Sequence, residues 1–158
     1  NYDFALQIFG PVESVQATSL QFDDTSVGAD TASAILNFAS GDQHTLIWSW
    51  GVAQGAQVSA LNDIMGPKGS LQFGMTAAQA PAKFDPKKQG AFTLKSGAGK
   101  EKVYPYTQKD MFAEQLKHVV RCFERNEQPL VTGEDGIKAL QVAAAVLKSG
   151  LSHKTVVI

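Results

Sequence analysis

The chain has 158 residues, 44% of them apolar and 18% charged, with a formal net charge of -1. That length suits one domain able to bury about 70% of its unfolded surface. The missing basic excess argues against a nucleic-acid binder or a membrane-surface protein, and no apolar run approaches the roughly 18 residues of a membrane span. Cys122 is the only cysteine, which excludes an internal disulfide and a C-x-x-C metal or redox site, so a cytoplasmic location is expected.

Tyr2, Ala5, Leu6 and Phe9 fall on one face of a helix, and Gly10-Pro11 stop it. VESVQA (12–17) reads as a strand. In DTASAILNFASGDQHTLIWSW (30–50), Ala32, Ala34, Leu36 and Phe38 alternate with Thr31, Ser33, Ile35 and Asn37. His44, Leu46, Trp48 and Trp50 then alternate with Thr45, Ile47 and Ser49. Period-two alternation marks strands with two unlike faces, and Ser40-Gly41-Asp42 supplies a hairpin turn in which Phe38 would oppose His44. The even face, both tryptophans included, is expected on the core. The odd face is flat and uncharged.

VSALNDIMGPKGSLQFGM (58–75) predicts two more strands around Gly66-Pro67-Lys68-Gly69, followed by a looser stretch from Thr76 to Gly99 with an edge strand over 92–95. EKVYPY is extended, and Pro105 bars it from a central position. Two helices close the chain. The first is expected to be capped by Thr107 with Asp110, with a stripe of Phe112, Leu116, Val119, Val120 and Phe123. The second is capped by Thr132, carries Glu134 and Asp135 in its first turn, ends at Gly150, and presents Ile137, Leu140, Ala144 and Leu147 inward. TVVI supplies a last strand. This order predicts an α+β fold: an open, mostly antiparallel sheet with helices packed on one face and the other face available for oligomerisation.

Few residues carry chemistry of their own. His44, His118 and His153 are far apart, and none sits at i, i+4 from another His or has a carboxylate at metal-ligand spacing. Asp23-Asp24 reads as a loop and Glu134-Asp135 as a helix start. No G-x-S-x-G, G-x-G-x-x-G or Walker loop occurs, and GPKGS and SGAGK lack the required spacing. Lys95, Lys100 and Lys102 read as a solvated edge. Residue by residue, no catalytic residue, cofactor site or metal site is expected within the chain.

The ordered set GPVESVQA, DTASAILNFASGDQHTLIWSW, IMGPKGSLQF and PLVTGEDGIKALQVAAAVLKSG with a final TVVI resembles the C-terminal domain of glucose-fructose oxidoreductase/inositol dehydrogenase-type (Gfo/Idh/MocA) oxidoreductases. GEDG before an Ala-rich helix carries most weight. The resemblance implies that residues 1–158 are a C-terminal substrate-binding and oligomerisation domain. An N-terminal Rossmann domain, which binds NAD or NADP and carries a catalytic lysine, would then lie outside the chain. Asp3 matches the last position of the family's D-x-x-x-H-x-x-D-like helix motif, which would put the catalytic His one residue before Asn1. Asp3 would then orient that His or bind a substrate hydroxyl, the alternative being a plain helix-surface carboxylate. Tyr2 would touch substrate or simply pack.

Hydride transfer needs a nicotinamide and a base held close together, so the chain alone is expected to be inactive and to bind no cofactor. Its parent would act on a sugar, polyol or related hydroxy or keto compound and would form a homo-oligomer through the sheet face, without nucleic acid or membrane. The competing reading is a non-enzymatic small-ligand-binding or dimerisation module of the same architecture.

Overall fold

The computed structural model describes residues 2–22, 24–25, 27–52, 63–75, 80, 82–85 and 87–158. Its elements run α1 (Tyr2–Phe9), β1 (Val12–Leu20), β2 (Thr31–Phe38), β3 (Gln43–Ser49), β4 (Asp63–Gly66), β5 (Gly69–Phe73), β6 (Gln89–Ser96), β7 (Lys100–Thr107), α2 (Met111–Arg125), α3 (Gly133–Ser152) and β8 (Val156–Val157). The α+β expectation holds, with open antiparallel pairing throughout. The strands form two four-stranded sheets, ordered β3-β2-β1-β8 and β4-β5-β6-β7. The chain divides accordingly into two compact units, one of residues 1–57 and 128–158 and one of residues 58–127.

In the first unit, Gly10 ends α1 at φ +86°, its N–H bonded to the Leu6 carbonyl at 2.9 Å. The even residues of β2 are buried as their alternation requires. Leu36 is fully enclosed beside Val15, Ala34 and Phe38, and Leu46 and Trp48 pack against the same cluster. Burying one such aliphatic side chain contributes about 1.5–3 kcal/mol.

The β2–β3 register differs by two residues from the expected one. Leu36, rather than Phe38, opposes His44, because Phe38 N–H bonds the Asp42 carbonyl and closes the loop earlier, with Gly41 left-handed at φ +87°. A shift of two keeps every side chain on its face. Trp50 is a correction: the ladder stops at Ser49, Trp50 N–H bonds the Asp30 carbonyl at 2.8 Å, and its indole is 87% exposed.

α3 packs on β1 with a different face from the one expected. Val142, Ala145, Val146, Ser149 and Gly150 are inward, whereas Ile137, Leu140, Ala144 and Leu147 are exposed. Close approach selects the small side chains. A Cβ on Gly150 would overlap the Ser19 hydroxyl, so this glycine lies inside the helix at its tightest contact with the sheet and does not end it. The helix runs on to Ser152 and ends with His153 left-handed at φ 55°. At this contact Ser149 Oγ accepts from Ala17 N–H at 2.8 Å and donates to the Lys154 carbonyl at 2.7 Å. β8 pairs with β1 only at Ser14 and Val15. Ser149 therefore takes over the strand's outer edge where β8 stops.

In the second unit, Gly66 and Gly69 face each other across the β4–β5 turn as expected; the residues 58–62 of that predicted segment lie outside the described set. The strand predicted over 92–95 spans Gln89–Ser96 and is central, not an edge, since it pairs with both β5 and β7. β7, with Pro105, is the edge. One face of this sheet carries Phe73, Phe92, Tyr104 and Tyr106. The ring of Phe92 lies 5.2 Å from Phe73 and 5.0 Å from Tyr106, Tyr106 covers Gly90, and Lys102 Nζ stands 4.7 Å over Tyr104. On the other face Thr93 is fully buried, donating to the Gly74 carbonyl at 2.8 Å.

The cap of α2 is Asp110, not Thr107. Thr107 is still in β7, and Asp110 Oδ1 accepts from Phe112 and Ala113 N–H at 3.0 and 3.1 Å. The predicted stripe is present but exposed, with Phe123 85% accessible.

Candidate functional site

The two residues singled out as substrate-binding, Tyr2 and Asp3, stand on the first turn of α1. This helix packs beside α3, because Ala5 is buried and Tyr2, Leu6 and Phe9 lean on the core cluster. Between the two helices runs a shallow groove of about 500 Å3, bounded by Tyr2 and Asp3 on one side and by Gly133, Gly136, Ile137 and Leu140 on the other. The groove thus brings both predicted residues to the start of α3, the stretch that carries GEDG. Among the described residues, no atom beyond the chain neighbours and the helix's own backbone lies within 4 Å of where a Cβ on Gly133 or Gly136 would stand, so the two glycines keep that wall low.

The lining is mainly apolar, and its polar groups differ in character. Burial raises the Tyr2 phenol above its ordinary 10.0, so it stays protonated at neutral pH and can donate a hydrogen bond. Gln7 Nε2 approaches the Asp3 oxygens at 3.4 and 3.5 Å, the long end of hydrogen bonding, which leaves the carboxylate accepting capacity. Asp135, nearby in sequence, is engaged in a capping box. Thr132 N–H and Oγ1 approach its Oδ2 at 3.0 and 2.9 Å, and Lys138 Nζ its Oδ1 at 3.1 Å. The backbone bond from Thr132, then its hydroxyl, then Lys138 hold the Asp135 carboxyl down at about 2.

The remaining candidates are dispersed. His44 is partly buried at the end of the core near Phe9, with ring centroids 6.4 Å apart. Its Nδ1 is a buried nitrogen without a partner among the described residues. Burial, with the positive charge of the amino terminus, lowers its imidazole below 6.5. His153 is the left-handed cap of α3. His118 on α2 lies 3.6 Å from Cys122 Sγ and 3.1 Å from Arg121 Nη2, and the first of these contacts is legible from the i, i+4 spacing. Asp24 is in an exposed turn, and Asp23 lies outside the described residues. Among the described residues, no three His, Cys, Asp or Glu side chains cluster to hold a metal.

Sequence reasoning also missed Asp30. This buried carboxylate accepts from Phe22 N–H at 3.1 Å and from Thr31 Oγ1 at 2.8 Å, and sits against Gly51 where a Cβ would be 2.6–2.7 Å away. Nothing in its local pattern, Gly-Ala-Asp-Thr, announces burial.

The two glycine-rich stretches can be tested as nucleotide cradles. A pyrophosphate is held where a strand turns into a helix N-terminus. Gly66–Gly69 instead joins β4 to β5, and Gly97–Gly99 joins β6 to β7, both within antiparallel hairpins. Neither fits a dinucleotide.

Groove and topology together define an α+β domain of open antiparallel sheets with a shallow site beside its helix layer. Residues 1–72 match the model of the GFO/IDH/MocA C-terminal domain family. No curated protein matches the chain in sequence. Among solved structures, 99% of the chain matches 44% of the aldose-aldose oxidoreductase from Caulobacter crescentus complexed with glycerol (TM-score 0.74, 23% identity). It likewise matches 46% of an oxidoreductase from Agrobacterium radiobacter in complex with NAD+, L-tartaric acid and magnesium (0.73, 16%). A third match covers 42% of the WlbA dehydrogenase from Bordetella pertussis in complex with NADH and UDP-GlcNAcA (0.61, 14%). The chain spans less than half the length of each. These matches bear out the resemblance read from the sequence: the chain carries the GFO/IDH/MocA C-terminal pattern over its first 72 residues and the corresponding fold over almost its whole length.

Proposed function

We propose that the chain is the substrate-side domain of an NAD(P)-dependent oxidoreductase acting on a sugar, polyol or related hydroxy or keto compound. The observation that carries this reading is the match of nearly the whole chain to under half of several oxidoreductases, two of them complexed with a nicotinamide nucleotide. Since neither glycine-rich hairpin fits a dinucleotide, the reading assigns the nicotinamide to a part of the protein outside this chain, and no chemical step is derived through it.

Within the chain, the Asp3 carboxylate accepts a hydrogen bond from a substrate hydroxyl, and the protonated Tyr2 phenol donates to a second oxygen. The apolar wall of Ile137 and Leu140 excludes water behind the carbon skeleton. Two oriented polar groups on an apolar wall suit a compact polyhydroxylated molecule. The uncharged outer face of the first sheet supports self-association. Its cross-strand row Ser14–Asn37–Gln43 is closed by hydrogen bonds of 3.1 and 3.0 Å among its own side chains, and Ile47 stands 80% exposed beside it. A face whose polar groups are already paired and which carries no charge is inexpensive to desolvate. Among the described residues no helix is long and apolar enough to cross a membrane.

The test uses the parent polypeptide with its own upstream sequence. Nicotinamide reduction is followed by absorbance over a panel of polyols and aldoses, with wild type beside Asp3→Asn and Tyr2→Phe. The proposal expects activity on at least one panel member, and a KM raised roughly tenfold by Asp3→Asn, the cost of about 1.4 kcal/mol in a charged hydrogen bond. A parent with no nicotinamide-dependent turnover, or saturable NADH binding by the 158-residue chain alone, would overturn it.

A further inference from the structure

We draw no further inference here: the strongest candidate, the ring-bearing face of the second unit's sheet where Phe73, Phe92, Tyr104 and Tyr106 lie beside Lys102, carries nothing because nothing in the structure shows what covers it.

Discussion

Replacing Ser149 by Ala removes one hydroxyl that serves two main-chain groups at once. Its Oγ accepts from Ala17 N–H on β1 and donates to the Lys154 carbonyl ahead of β8, and the residue is 1% exposed. With the hydroxyl gone, no strand lies on the outer side of Ala17 to replace it, since β8 pairs only with Ser14 and Val15 and β2 lies on the other side. Both bonds are part-buried, each stranded group costs about 1–3 kcal/mol, and the better helix propensity of Ala returns only about 0.5. The expected loss is therefore about 2–5 kcal/mol. Urea unfolding followed by tryptophan fluorescence reads it, because Trp48 packs on the core of the same unit. With an m-value of about 2 kcal/mol per molar, the midpoint falls by about 1–2.5 M at unchanged slope. Hydrogen exchange at the Ala17 amide should accelerate in parallel. A loss under about 0.5 kcal/mol, with that amide still protected, would show that water or relaxation serves both groups and that the assigned role is wrong.

Three further outcomes are expected. Gly150→Ala ought to gain about 1 kcal/mol as a helix substitution, but its methyl overlaps the Ser19 hydroxyl, so a net loss of about 1–3 kcal/mol is expected. Pairing it with Ser19→Gly should restore most of that loss in a double-mutant cycle, whereas strict additivity would refute the contact. For His44, the folded imidazole titrates below its unfolded value, so the unfolded chain binds more protons in that window. Its contribution is present above about pH 6.5 and is lost as pH falls through that value toward the folded pKa. Denaturation midpoints should drop on acidification through this range in wild type and less so in His44→Gln; equal slopes would contradict it. Asp135 has its carboxyl held down at about 2, so an NMR titration should place its midpoint there and move it upward toward 3.8 in Thr132→Ala. A midpoint already near 3.8 in wild type would rule out the capping box in solution.

What the sequence made legible was local. The stop at Gly10, the alternation through β2 and β3, the turn at Gly66–Gly69 and the Thr132 cap each depend on residues within a few positions of one another, and all are present. Choices that depend on distant partners were not legible. α3 is apolar on two sides, and only the nearness of β1 decides that Val142, Ala145, Ser149 and Gly150 face inward while Leu140 and Leu147 face out. Periodicity finds a stripe but cannot say which of two stripes meets a sheet. Trp50 follows the alternation of β3 in sequence, and its amide still bonds the Asp30 carbonyl in register, yet its side chain lies past the end of the strand and is exposed. β6 reads as an edge because its lysine and glycines look solvent-tolerant, and its central place is fixed only by β5 and β7 arriving from either side. The groove was half legible: Tyr2 and Asp3 came from the family pattern, while the glycine wall opposite them needed the packing of α1 on α3.

β8 contributes only Val156 and Val157, with the Ile158 amide reaching the Glu13 carbonyl at 3.0 Å. These few residues occupy backbone positions on β1 that would otherwise accept any extended peptide. Replacing Val156 by Pro would unpair this edge of β1 and remove a side chain that packs on the core, so the variant should both self-associate over time and melt earlier.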